Sequence, residues 1–515
     1  MDTKVTGAGP TRPRHRTYQP DRRNVKHTLS KSQCILGLQC HKALWLLKNR
    51  PWLRTFPGRA RLAALSMGKE VGLFARRLFP GGVAVPFAQD AFGRMIKDTG
   101  RLLKDPSTGT IYEATFSADG VLCMVDILHR GEGGWEIYEV KGATDLKDVH
   151  LFDAAIQYHV LLASGLRVSR VSIVHINKEY ERVGAIDVHA LFRMAEITTW
   201  VRANRRLVEE EVIKMRRSLD GGCPEVEIGA QCREPYECDF IAFCWKDLPE
   251  PSVFDLRGRG IDKFSLYRNG KVRFSDLDPG ELNSNQIMQV EAELTGRRFI
   301  NPGGIKAFLD SLHYPLCFLD FETFSEAIPP FDHTHPYEQI PFQYSIHCLE
   351  SETSGLKHHE FLAEAGVDQR EELARGLSSL IPDDACVVVY NMAFEKQVLV
   401  RLARLFPRYR EKLLKISDNI VDLMVPFKRR YYYTREMKGS YSLKAVLPAL
   451  LPGFGYEGMA IANGEDASNA YLMLKSVDDP EEALGIRRDL LEYCRLDTLA
   501  LVRIVERLRE TINRR

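Results

Sequence analysis

The segment CFLDFETF, residues 317–324, places two carboxylates in text so apolar that only a buried, central strand of an α/β sheet accommodates it. Alternation along a strand puts Asp320 and Glu322 on one face. Burying two carboxylates is costly unless they meet cations or hydrogen-bond donors, so the rest of the chain has to bring partners to them. Two later segments qualify. VVVYNMAFEKQVL (387–399) reads as a strand entering a helix, with Asn391 and Glu395 near the junction. YCRLDTLAL (493–501) sets Tyr493 and Asp497 one helical turn apart on one face. Four carboxylates from three segments can hold two divalent cations about 3.5–4 Å apart, one activating water and one stabilising a leaving oxygen.

A second acidic constellation lies upstream. TIYEATF, VLCMVDILHR and GWEIYEVKG are β-branched and aromatic, with turn residues between them. If residues 131–134 form a hairpin loop, Arg130 faces Trp135, Leu128 faces Ile137 and Asp126 faces Glu139. Opposed residues have Cβ atoms about 4.5–5.5 Å apart, and carboxylates that close repel unless a cation intervenes. Lys141 follows Glu139 on the same strand face. Glu113, on the preceding strand, adds a possible metal ligand. Asp153 and Gln157 are spaced i,i+4 on a helix expected over 148–163 and lean over the same place. Two carboxylates and a lysine on one sheet face suit metal-assisted phosphodiester hydrolysis, the lysine offsetting developing charge.

Asp126, Glu139, Lys141 and Gln157 resemble the PD-(D/E)XK pattern of RecB-like nucleases, and EVKGATDLKDVHLFDAAIQYHVL resembles the core of that fold. There are departures. Gly72 stands where many such enzymes carry a metal-binding His, and Leu161 where a Tyr often follows the Gln, which leaves Glu113 or Glu70 to complete the ligand set. CREPYECDFIAFC places Cys232, Cys238 and Cys244 with five residues between each and the next, and Cys40 lies far upstream in GLQCHKALWL. This arrangement resembles the iron–sulfur RecB-type nucleases, including CRISPR-associated exonuclease family four. The resemblance implies a [4Fe–4S] cluster on Cys40, Cys232, Cys238 and Cys244; four thiolates also suit structural zinc. Cys34 and Cys223 are left over.

The later acidic segments, in order and spacing, resemble the DEDDy branch of RNase H-like 3′→5′ exonucleases. That resemblance implies metal ligation by Asp320, Glu322, Glu395 and Asp497, with Glu395 where Asp is usual, and water orientation or deprotonation by Tyr493. KRRYYY supplies Lys428, Arg429, Arg430 and Tyr431 for phosphate contact and stacking, or equally an edge strand with core tyrosines. Lys444 is a further candidate for approaching phosphate.

The expected fold class is α/β. It comprises two nuclease lobes, one restriction-endonuclease-like and one RNase H-like, with a mostly helical connector. The expected divisions are a disordered basic tail at 1–27, a first lobe at 28–247, a connector at 248–312 and a second lobe at 313–515. FSLYRNGKVRFSDL in the connector resembles small helical modules that contact the DNA backbone. Composition excludes a disordered, collagen-like or membrane-spanning chain: hydrophobic residues are 44% and charged residues 27% of 515. The formal net charge is +2, yet residues 1–50 carry 11 Lys+Arg against 2 Asp+Glu. An odd set of 11 cysteines in a chain without a secretory signal argues against a disulfide framework, and Cys317 and Cys386 read as small core residues. The expected protein is a cytoplasmic nuclease that takes magnesium or manganese at both sites and trims DNA ends. RNA as substrate, a nucleic-acid-binding scaffold with silent sites, and an iron–sulfur sensor remain the alternatives.

Overall fold

The computed structural model describes residues 28–55, 58–88 and 91–513, so the basic tail expected at 1–27 lies outside the described residues. The fold is mixed α/β with about half of its residues helical. No helix among the described residues is long and apolar enough to cross a membrane.

Seven strands build the first sheet: β1 (Leu29–Ser30), β2 (Val83–Ala84), β3 (Thr110–Ala118), β4 (Val121–Gly131), β5 (Gly134–Lys141), β6 (Val168–Ile176) and β7 (Phe192–Glu196). Their order is β2-β3-β4-β5-β6-β7, with β1 pairing parallel to β4. The hairpin keeps the expected register, Arg130 opposite Trp135 and Leu128 opposite Ile137, but Gly131 pairs with Gly134. The loop is therefore two residues rather than four, and shortening both sides equally leaves the facing partners unchanged. Gly134 holds φ at 140°, a value that favours glycine. Past the Ile127–Tyr138 pair the ladder between β4 and β5 ends. The strands separate there, and the Asp126 side chain accepts the Val140 amide at 2.7 Å in place of a backbone carbonyl. The helix Asp148–Ala163 covers the sheet with ten buried residues, including Ala154, Ile156 and Val160. A helix this apolar needs a second cover, which the long helix Thr198–Asp220 provides.

The second half contains a ribbon, β8 (Phe299–Ile300) with β14 (Tyr432–Tyr433), and a five-stranded sheet. That sheet uses β9 (Leu316–Phe324), β10 (Ile340–Leu349), β11 (Lys357–Leu362), β12 (Cys386–Val389) and β13 (Ile420–Asp422), in the order β11-β10-β9-β12-β13. β9 is central as expected, antiparallel to β10 and parallel to β12. Cys317 on β9 directly faces Cys348 on β10, with Cα atoms 4.2 Å apart, and the two form a disulfide. Cys317 is a small core residue, as read from the sequence, but its pairing goes against the expectation of no disulfides, because it depends on a strand register that cysteine spacing does not reveal. Cys386 is a buried thiol in the core.

Residues 248–312 hold short helices and a small core of Val253, Leu256, Phe274 and Leu277. Their last part belongs elsewhere. β8 pairs with β14, and Ile305 and Phe308 enter the second core, so that core begins before residue 313. The two halves also touch directly. Residues 325–339, which join β9 to β10, cross to the first half, where Ala327 and Ile328 pack with Val71, Tyr138 and Ile176. Arg182 donates to the Pro330 carbonyl at 2.6 Å, and the Tyr337 hydroxyl donates to the Gly142 carbonyl beside Lys141.

Candidate functional sites

β9 delivers Asp320 and Glu322, the helix Met392–Leu405 delivers Glu395 in its first turn, and the helix Pro480–Asn513 delivers Tyr493 and Asp497. Asn391 takes φ 85° between β12 and its helix. This left-handed turn is held where the Asn391 and Met424 amides donate to Asp422 at 3.1 and 2.9 Å, and it directs the next helical turn inward. Among the described residues, Asp320, Glu322 and Cys494 form the one group of three or more potential metal-ligating atoms within 4.8 Å of one another. At an effective dielectric of about 20, two unit charges 4.8 Å apart repel by about 3 kcal/mol. The cluster therefore resists full ionisation. Burial first, then the neighbouring carboxylates, push Asp320, Glu322 and Glu395 well above the ordinary carboxylate range. Asp497 is pushed up to about 6 by burial, opposed by hydrogen bonds from Tyr456 and Tyr493 and by the charge of Lys444.

Glu395 Oε2 is buried and has no hydrogen-bond partner. Among the described residues no lysine or arginine forms an ion pair with any of the four carboxylates. An orphaned carboxylate oxygen in an acid-only cluster fits divalent cations. Tyr456, whose hydroxyl donates to Asp497 Oδ1, and Cys494, whose Sγ lies 3.9 Å from Asp320 Oδ2, were not singled out by the sequence. Cys494 sits inside a quoted motif, whereas Tyr456 carries no local signal.

The first cluster is built differently. Asp126 and Glu139 project where β4 and β5 separate, and Lys141, Asp153 and Gln157 meet Glu139 as expected. Lys31 is also present. Its Nζ lies 2.7 Å from Glu139 Oε1 and 3.4 Å from Asp153 Oδ2. Lys141 reaches the same two oxygens, at 2.6 Å for Glu139, and Gln157 Nε2 donates to Glu139 Oε2. Burial would raise the Glu139 carboxyl, but Lys141 and Lys31 prevail and hold it well below the usual range. Burial and the Glu139 charge push Asp126 up to about 8. Glu113 does not join the cluster. It interrupts pairing between β3 and β4 at φ 57°, and its carboxylate is held by Arg76 at 2.8 Å. Glu70, the other possible ligand, is instead raised by burial and by Glu326, with Lys475 opposing. With its carboxylates already engaged by two ammonium groups, this cluster does not fit a divalent cation as it stands.

Cys40, Cys232, Cys238 and Cys244 line one cavity of about 180 Å³ together with Phe240, Ile241 and Tyr267. Gln39 draws the distant ends together, its Nε2 donating to the Gln231 and Tyr236 carbonyls at 2.7 and 2.6 Å. Cys34 is in the core and Cys223 is exposed, and neither lines the cavity. Tetrahedral zinc with Zn–S bonds of about 2.3 Å draws its sulfurs to about 3.8 Å of one another. No three of these thiols form a group within 4.8 Å among the described residues.

The KRRYYY segment is largely structural. Tyr432 and Tyr433 are buried and Tyr431 packs against Gly304. Arg430 lies over the Tyr433 ring at 4.4 Å and donates to the Gly439 carbonyl at 2.7 Å. Tyr431 and Arg430 are thus occupied in the core, while Lys428, Arg429 and Lys444 remain exposed.

Two curated relatives are similar to part of the chain. An uncharacterized protein MG366 homolog from Mycoplasma pneumoniae is 26% identical over 206 residues, 36% of this chain and 31% of the relative. Uncharacterized protein MG366 from Mycoplasma genitalium is 26% identical over 215 residues, 38% of this chain and 32% of the relative. The chain therefore spans about a third of the length of these relatives. No solved structure matches. Residues 317–442, which hold Asp320, Glu322 and Glu395 but stop short of Tyr493 and Asp497, match the family described as Domain of unknown function (DUF2779).

Proposed function

We propose that the protein is a divalent-metal-dependent nuclease that removes nucleotides from DNA ends, with hydrolysis at the Asp320–Glu322–Glu395–Asp497 cluster. The observation that carries this reading is the close grouping of Asp320 and Glu322 with Cys494, within 4.8 Å of one another, with Asp497 and a buried Glu395, one oxygen of which has no hydrogen-bond partner, brought near from two other segments. Magnesium or manganese bound there would activate water and offset charge on the leaving oxygen. The protein's own groups complete the arrangement. Tyr493 and Tyr456 hydrogen-bond Asp497 and fix its orientation, and Tyr493 would orient the attacking water. Lys444 lies close enough to lower Glu322 and Asp497 and is exposed to meet a phosphate.

The spacing of the four cavity thiols, no three of which lie within 4.8 Å of one another among the described residues, favours a [4Fe–4S] cluster over zinc, and the cavity's position at the joined ends of the first half supports a structural role. DNA is preferred over RNA on the resemblance of the first half to DNA end-processing enzymes. Incubation with end-labelled single- and double-stranded DNA and RNA plus Mn²⁺ tests the proposal. Shortening of DNA that vanishes in Asp320→Asn supports it; band shifts without shortening favour a binding scaffold, and shortening of RNA alone moves the substrate to RNA.

A further inference from the structure

The two acidic clusters differ in how their charge is met. At the downstream cluster, among the described residues, no side-chain cation pairs with the carboxylates and one oxygen is left bare. At the upstream cluster Lys31 and Lys141 bridge the same pair, Glu139 Oε1 and Asp153 Oδ2. The other oxygen of Glu139 accepts from Gln157, and Asp126 accepts from the Val140 amide. A magnesium ion would need carboxylate oxygens at about 2.0–2.1 Å in near-octahedral array. Both Glu139 oxygens and one oxygen each of Asp126 and Asp153 are already committed to nitrogen donors.

Lys31 is not a loose surface lysine that happens to fall there. Its backbone opens the helix Lys31–Gln39 directly after β1, which pairs with the start of β4, the strand that bears Asp126. Ser30 and Gln33 cap that helix reciprocally, at 3.1 and 3.3 Å. Its far end meets Cys40, one of the thiols of the cysteine cavity. The ammonium group is thus delivered from an anchored position at both ends of a short, rigid element.

We infer that Lys31 is a second resident cation of the first cluster, standing beside Lys141 between Glu139 and Asp153 where a divalent ion would bind, so that metal enters only if Lys31 leaves, Lys141 alone being too little positive charge for the three carboxyl groups. The first half then takes up no metal in the resting protein, and only the downstream cluster is metal-loaded. Mn²⁺ binding to the 515-residue chain, with any cysteine-held cofactor retained, tests this by the paramagnetic signal of free Mn²⁺. In Asp320→Asn/Glu395→Gln, which removes the downstream cluster, no stoichiometric Mn²⁺ site should remain. Adding Lys31→Met should create one site per chain, roughly tenfold or more tighter than residual surface binding, and Glu139→Gln should abolish it. Unchanged Mn²⁺ binding in a folded Lys31→Met protein would overturn the inference. A tight, Glu139-dependent Mn²⁺ site with Lys31 still in place would overturn it too, and that arm stands even if Lys31→Met fails to fold.

Discussion

Asp497 accepts hydrogen bonds from a tyrosine one helical turn away and from another 41 residues away, and these contacts decide what its neighbours can do. If Tyr493 aims the attacking water, Tyr493→Phe should lower kcat by roughly 10²-fold while Mn²⁺ affinity stays the same; full activity would remove Tyr493 from the chemistry. The same residues set a pH dependence. Asp320, Glu322, Glu395 and Asp497 all have folded pKa values above their ordinary range, so the folded chain retains protons that the unfolded chain gives up. The stability they contribute is present below the ordinary carboxylate range and is lost as pH rises through the folded values, Asp497's being about 6. The metal-free protein should therefore lose Tm between about pH 5 and about pH 8, Asp320→Asn should flatten that loss, and Mn²⁺ should raise Tm more at the higher pH. Equal slopes for the two proteins would contradict the assignment. Asp320 and Glu322 are legible in sequence because charge inside an apolar strand demands a reason. Lys31 and Tyr456 are not, since each is an ordinary residue in ordinary local text and acquires its role only through a contact more than forty positions away.

At the scale of elements, the helix Asp148–Ala163 and the β4–β5 hairpin follow from sequence almost residue by residue. Periodicity and turn chemistry are local, and a loop shortened by one residue on each side preserves which residues face each other. The short strand β7, the left-handed backbone at Glu113 that accompanies its contact with Arg76, and the Cys317–Cys348 bridge depend on neighbours that local patterns do not specify. The helix Lys31–Gln39 is the element with most consequence, because it ends at Cys40 and its neighbour Gln39 ties it to the strip that bears Cys232 and Cys238. Closing so long a loop restricts the unfolded chain. Cys238→Ser should therefore release most of the bound cofactor and lower Tm, whereas Cys223→Ser should change neither. Iron and acid-labile sulfide in the purified protein would agree with a [4Fe–4S] cluster there. Stoichiometric zinc without iron would contradict it.

For the whole molecule, the crossing segment 325–339 joins the two halves. It leaves β9 just after Glu322, brings Ala327 and Ile328 into a shared apolar cluster, and meets Arg182 and the Gly142 carbonyl next to Lys141. His333 and Tyr337 take φ values of 59° and 60° in this segment, a conformation that a non-glycine residue keeps only when its surroundings enforce it. Such a joint should make the halves unfold together. Arg182→Ala combined with Tyr337→Phe should split a single calorimetric transition into two, and one unchanged transition would show that the segment does not couple them. None of this crossing was visible in sequence, where 325–339 is a plain interval between two strands. The central claim concerns the carboxylates that β9 presents, and one measurement addresses it directly: end-labelled DNA incubated with Mn²⁺ and either the wild-type protein or Asp320→Asn. The account predicts a ladder of progressively shortened products from the wild type and intact substrate from the variant; equal digestion by both proteins would contradict it.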